Sequence, residues 1–165
     1  MLKNEPKKYV GDYNVDAVRD AYENRGRWYY FLVKEGLEQG LPLEFARDAM
    51  HEAGLFLGKS RFNGIDNLKD FADEFMTYGV EKVNEGEVVK LSEEEFEVDL
   101  GYCPLVNAWQ KLEQDEKFLA DICDICMEMD RGIAESLGMS MDLKATIASG
   151  CGKCTMCFTK YDHEG

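Results

Sequence analysis

The stretch Glu95–Tyr102 constrains the fold of this chain more than any other. Phe96, Val98, Leu100 and Tyr102 alternate with Glu95, Glu97 and Asp99. Such a period of two marks a strand with one apolar and one solvated face. The apolar face has to be covered, and the rest of the sequence supplies helices to cover it. Three upstream segments carry apolar residues three and four apart. The first runs from Asn14, a candidate N-cap, to Gly36 or Gly40, with Val15, Val18, Tyr22, Tyr29 and Leu32 as its inner stripe. The second starts at Pro42 and turns Phe45, Ala46, Ala49, Met50, Ala53 and Leu57 inward. The third follows the link Ser60–Gly64 and reaches about Val83, with Ile65, Leu68, Phe71, Ala72, Phe75 and Met76 as its core face. Glu87–Leu91 reads as a partner strand across the turn Ser92–Glu94. Pro104 opens a helical region to Leu137, with a break near Gln114-Asp115-Glu116 and Gly138 as its stop. Met141–Ser149 and Cys154–Tyr161 read as two final strands. The expected fold class is α+β: a helical layer on an antiparallel sheet of about four strands, in the order ααα-ββ-α-ββ. It is expected to form a single domain over residues 1–165, with residues 1–13 as a loose lead-in.

A chain of 165 residues can bury a proper core without staples. Its net charge of -14 repels nucleic acid and anionic membrane surfaces, so neither is an expected partner. Met1–Lys8 is polar and basic rather than a secretory leader, and no apolar run approaches membrane-spanning length. The expected location is the cytoplasm, where thiols stay reduced. A small-molecule ligand or substrate is the expected partner, with a homodimer as the default assembly.

All six cysteines fall between Cys103 and Cys157. In a reducing compartment they read as metal ligands, reactive thiols or small buried residues rather than disulfides. Cys103 sits at a strand-to-helix corner, where the helix N-terminus favours a thiolate. That suits a nucleophile, a metal ligand or a plain buried corner. Cys123, Cys126 and Asp130 share a helix face at offsets of three, four and seven. Cys151-Gly152-Lys153-Cys154 resembles a metal knuckle, which Cys157 extends. On a strand starting at Cys154, however, Cys157 points away from Cys154. Zinc is the cofactor that Cys103, Cys151, Cys154 and Cys157 would take, with iron less suited to the spacing. Arg25 either lays its stem on the core and snorkels outward or holds a carboxylate. The chain's two histidines, His51 and His163, give little support to a histidine base.

Several of these residues together resemble the L-2-amino-thiazoline-4-carboxylic acid hydrolase family. They are the run Arg25-Gly26-Arg27-Trp28, the Cys103-Pro104 corner before a helix with Trp109, the Cys123/Cys126…Asp130 helix, and the terminal Gly150-x-x-x-Cys154. The last element is also similar to the 4-vinyl reductase-like domains, which have a TRAPP-like α+β fold, although Met156 stands where those carry Phe and Cys157 follows. The first resemblance implies a hydrolase acting on a cyclic C–N bond, opening an aminothiazoline carboxylate to N-carbamoyl-cysteine. For that chemistry, residue type and predicted position offer Cys103 as nucleophile and Asp130 as the group that orients water or protonates the leaving atom. They offer Arg25, Trp28 and Cys126 as substrate-binding residues. The second resemblance implies a non-catalytic small-molecule or metal-binding sensor.

Overall fold

The computed structural model describes residues 2–161. Helix α1 (Tyr13–Glu38) is capped by Asp12, whose carboxylate accepts from the Asn14 and Val15 N–H groups. Helix α2 (Glu44–Arg61) and helix α3 (Leu68–Phe75, capped by Asn67) follow. A single π-helical turn, Gly79–Val83, leads into strands β1 (Gly86–Leu91) and β2 (Glu95–Leu100). Helices α4 (Pro104–Gln110), α5 (Glu116–Cys126) and α6 (Glu128–Ser136) come next. Strand β3 (Met139–Ala145), a short 3-10 turn (Ile147–Ser149) and strand β4 (Cys154–Lys160) complete the described chain.

The sheet is antiparallel throughout, in the order β1-β2-β4-β3. The α+β expectation therefore holds. The register sets Phe96 opposite Phe158, Val98 opposite Met156 and Leu100 opposite Cys154 on the covered face. Phe71 and Phe75 of α3 close over Phe96 and Phe158, with ring centroids 5.0–6.1 Å apart. Four buried rings in edge and stacked contact make this the anchor of one end of the core. Glu97 pairs with Cys157 and Asp99 with Thr155 on the other face.

Three expectations need correction. The helical region after β2 has the expected break near Asp115 and a second, unexpected one at Met127, making three helices. Asp115 caps a new start at α5, and the direction changes again at Met127, which caps α6 with helical dihedrals. The inner face of α1 is rotated from the expected stripe. Arg19, Glu23, Gly26, Tyr30, Val33 and Gly36 are buried with Val15, while Leu32 is 70% exposed. Polar and glycine positions on the buried face hide it from a hydrophobic pattern. Lastly, residues 1–13 are not a loose lead-in over their described part. Glu85 accepts from the Lys7 and Lys8 N–H groups at 2.8 Å each, and Asn4 is buried.

Two close helix crossings shape the helical layer. Gly26 lets Leu105 and Trp109 of α4 approach α1, and the Trp109 indole donates to the Gly26 carbonyl at 2.8 Å. Gly54 of α2 packs directly on the backbone of Met129 and Gly132 in α6. A side chain at either of these glycines would force the helices apart.

Candidate functional site

Cys103 caps α4 in an extended conformation (φ −133°, ψ 109°), with Pro104 at the first helical position. The N–H groups of Leu105 and Val106 face its sulfur and favour the thiolate, as does the Arg25 guanidinium. Burial works the other way and is the larger influence, so the thiol is pushed up from its usual range. Cys103 is a thiol at rest. The helix N-terminus stands ready to stabilise negative charge that forms there.

Cys126 ends α5 and Asp130 lies one turn further on in α6. Burial pushes the Cys126 thiol up to about 12, and the nearby Asp130 carboxylate and Cys103 sulfur add to that. Burial raises the Asp130 carboxyl to about 6, against a smaller opposing pull from Arg25. Its own backbone N–H assists the carboxylate, yet among the described residues no side chain pairs with it. Cys103, Cys126 and Asp130 all retain partial solvent access. They are thus surrounded by protein but reachable by a small molecule.

Arg25 is exposed on α1, within electrostatic reach of these groups. Its guanidinium stacks over the Tyr22 ring at 4.5 Å and is otherwise exposed. It joins no ion pair among the described residues, while its charge reaches Cys103, Cys126 and Asp130. Arg25 thus points outward with its head over an aromatic ring and holds no carboxylate among the described residues. Tyr29 joins the wall, donating to the Ile122 carbonyl at 2.9 Å, and burial pushes its hydroxyl well up. Cys123 is buried behind Cys126, and its thiol is raised by burial and then by Cys103 and Cys154.

Charge effects link Arg25 with Cys103, Cys126 and Asp130, and link Cys126 with both Cys103 and Asp130. Trp28 is 67% exposed on α1, three residues from the exposed Arg25, while the Gly26 face turns inward. Cys157 is elsewhere. Strand alternation sends it to the outer sheet face, where it donates to Glu95 Oε1 at 3.1 Å. Cys154 faces inward and accepts from the Ile147 N–H at 3.3 Å, while Cys151 is exposed in the turn. Cys103, Cys151, Cys154 and Cys157 cannot surround one ion with Cys157 on the opposite face. Among the described residues, the one trio of metal-type donors within 4.8 Å is Glu95, Glu97 and Cys157. Lys90 and Lys144 already bind Glu95, and Lys144 also binds Glu97. His51 lies between Glu128 and Glu135, away from the thiols, and His163 lies outside the described residues.

Open surface cavities of about 440 Å³ beside Gly58 and Leu137 and about 570 Å³ beside Leu68 and Leu91 lie at helix and strand ends. They bring together no thiol and no carboxyl with a raised pKa, so volume alone does not mark the chemistry. Sequence reading missed Asn4. Its side chain is bonded to both backbone groups of Cys103 across 99 positions of chain, and no local pattern announces that.

The fold is that of an α+β protein with a four-stranded antiparallel sheet, with Cys103 at the strand-to-helix corner and Asp130 in α6. The chain belongs to the L-2-amino-thiazoline-4-carboxylic acid hydrolase family, whose sequence model matches residues 21–158. The match spans Arg25, Cys103, Cys126 and Asp130. No curated protein matches the sequence. A similar solved structure is trafficking protein particle complex subunit 3 from Naegleria fowleri, covalently bound to palmitic acid. It is 15% identical, with a TM-score of 0.58, covering 84% of this chain and 94% of that one. At that identity the likeness shows the fold alone. No helix among the described residues is long and apolar enough to cross a membrane.

Proposed function

We propose that this protein is a small-molecule hydrolase that opens a carboxylate-bearing ring of the aminothiazoline type at its sp² carbon bonded to nitrogen and sulfur. One observation carries the reading: Arg25 and Asp130 are opposite charges within electrostatic reach that form no ion pair with each other. A cationic amidine-type ring with an attached carboxylate is dipolar in the same sense. Its carboxylate meets Arg25, and its ring meets Asp130.

Asp130 is the acid–base residue. Ionised above about pH 6, it accepts a proton from the attacking group and returns it to the departing ring sulfur. Cys103 is the attacking group, with the Leu105 and Val106 N–H groups stabilising its developing thiolate. Its sulfur bonds to the ring carbon and the ring C–S bond breaks. Water then releases the carbon from Cys103 as the carbamoyl group of N-carbamoyl-cysteine, with ammonia not lost. Cys126 borders the same space and contacts the ring.

The test is incubation with 2-amino-2-thiazoline-4-carboxylate, reading the new free thiol and the product mass. The expected result is turnover by the native protein and loss of about a hundredfold or more in Cys103→Ala, in line with removal of a nucleophile. Full turnover in Cys103→Ala would transfer the attack to a water held by Asp130. A second reading, a binding module without turnover, is favoured by the raised pKa of the Cys103, Cys123, Cys126 and Cys154 thiols. It predicts ligand-induced thermal stabilisation with no product.

A further inference from the structure

The corner between β2 and α4 has backbone groups that neither element satisfies. β2 ends at Leu100 and α4 begins at Pro104, so Tyr102 and Cys103 must find partners elsewhere. Two asparagines provide them. Asn84 donates its amide to the Tyr102 carbonyl at 3.1 Å, and its own carbonyl accepts from the Tyr102 N–H at 3.1 Å. Asn4 accepts from the Cys103 N–H at 2.9 Å and donates to the Cys103 carbonyl at 2.7 Å. Asn4 is only 6% exposed, although it lies close to the start of the chain.

The segment carrying Asn4 is itself held down by a buried ion pair. Glu85 accepts the Lys7 and Lys8 N–H groups and the Arg19 guanidinium on one oxygen, the last at 3.1 Å. Arg19 also donates to the Lys8 and Val83 carbonyls and stacks over Tyr102 at 4.8 Å. Glu85 holds a left-handed backbone (φ 55°), a conformation costly for a residue with a side chain and retained where surrounding contacts enforce it. Arg19, Glu85 and Asn4 thus tie residues 4–8 across the Cys103 corner.

We propose that Asn4 is a positioning residue: by gripping both backbone groups of Cys103, it fixes that corner so that the sulfur faces the Leu105 and Val106 N–H groups. The inference rests on the reading of Cys103 as the attacking group. It differs from that reading in assigning a role to a segment that touches no substrate. Two hydrogen bonds to one residue fix an orientation that one bond would leave free to swing.

The experiment compares native protein with Asn4→Ala in two measurements, turnover of 2-amino-2-thiazoline-4-carboxylate and the rate at which iodoacetamide alkylates each cysteine, mapped by mass. The expected result is a fall in kcat of about tenfold or more with KM within about twofold. Alkylation of Cys103 should rise at least about threefold as the released corner opens to solvent, while Cys154 is unchanged. A merely structural role would speed both cysteines together by global opening. Unchanged Cys103 alkylation and kcat in folded Asn4→Ala would overturn the proposal. Absence of turnover in native protein defeats the hydrolase reading alone, since alkylation still reports on the corner. Should Asn4→Ala fail to fold, amide exchange of the native protein decides. The Cys103 N–H should open together with those of Lys7 and Lys8, and a Cys103 amide protected to the level of α4 counts against the proposal.

Discussion

Asp130 and Glu95 are both carboxylic acids near a cysteine, and the fold shifts them in opposite directions. Asp130 lies in α6, where burial lifts it from 3.8 to about 6. Glu95 lies on the outer sheet face, where hydrogen bonds from Lys90, Cys157 and Lys144 pull it from 4.5 to about 2. Around Glu95 every charge has an answer: Lys144 binds Glu97, and Lys153 binds Asp99. Asp130 itself has no ion-pair partner among the described residues, and Arg25 acts on it only at a distance. A satisfied acid lowers the energy of the fold, whereas an unsatisfied one raises it. The acid and thiol together at Glu95 and Cys157 are therefore a surface network, despite matching Asp130 and Cys126 in residue types.

The sharpest way to break this contrast is Asp130→Asn. Turnover should fall about 10²–10⁴-fold, the usual range for loss of an acid–base group. Stability should rise at the same time. Because the folded Asp130 pKa lies above its unfolded value, the native state binds more protons between about pH 4 and 6. Stability from this group is therefore present below pH 4, declines through that window and stays lowered above it. Asparagine removes the penalty, a gain at pH 7 of at most about 3 kcal/mol from the size of the shift, reduced by residual solvent access. Thermal unfolding as a function of pH measures it. A variant that is both inactive and less stable at pH 7 would identify Asp130 as a structural group like Glu95.

Arg25→Ala comes next in size. Its guanidinium has no ion-pair partner among the described residues to leave unpaired, so the fold should tolerate the change. Substrate KM should rise by about tenfold to a hundredfold, with kcat less affected, as expected for a lost charge-assisted carboxylate contact. Steady-state kinetics separate the two. A drop in kcat at constant KM would instead place Arg25 with Asp130 in the proton chemistry.

The sequence made some of this contrast legible. The outer face of β2 could be read from alternation alone, because a strand's period needs no knowledge of its neighbours. The same alternation correctly sent Cys157 away from Cys154. The candidate site was only half legible. Cys123, Cys126 and Asp130 could be grouped by helical offset, and they stay close even though the helix breaks at Met127. The inner face of α1 was misplaced because it includes Arg19, Glu23 and two glycines, which no hydrophobic stripe reveals. Asn4, Arg19 and Glu85 were invisible for a related reason. Their meaning lies in contacts 64 to 99 positions away along the chain, and their residue types are ordinary for a surface.

The smallest effect belongs to the outer face and tests the contrast from its other side. Glu95→Gln removes a carboxylate whose folded pKa is depressed. Its contribution is therefore present above about pH 4.5 and lost as the pH falls toward 2. Exposed ion pairs contribute little even when well formed, because water and salt screen them. Glu95→Gln should accordingly leave turnover unchanged and lower the thermal midpoint at pH 7 only slightly, by less than Asp130→Asn raises it. Added salt should erase the difference between Glu95→Gln and the native protein, while the effect of Asp130→Asn should persist, since an enclosed group is screened far less. If Glu95→Gln impaired turnover instead, Glu95, Glu97 and Cys157 would have to be counted as a second chemical site, and full pairing of charges would no longer separate framework from function in this fold.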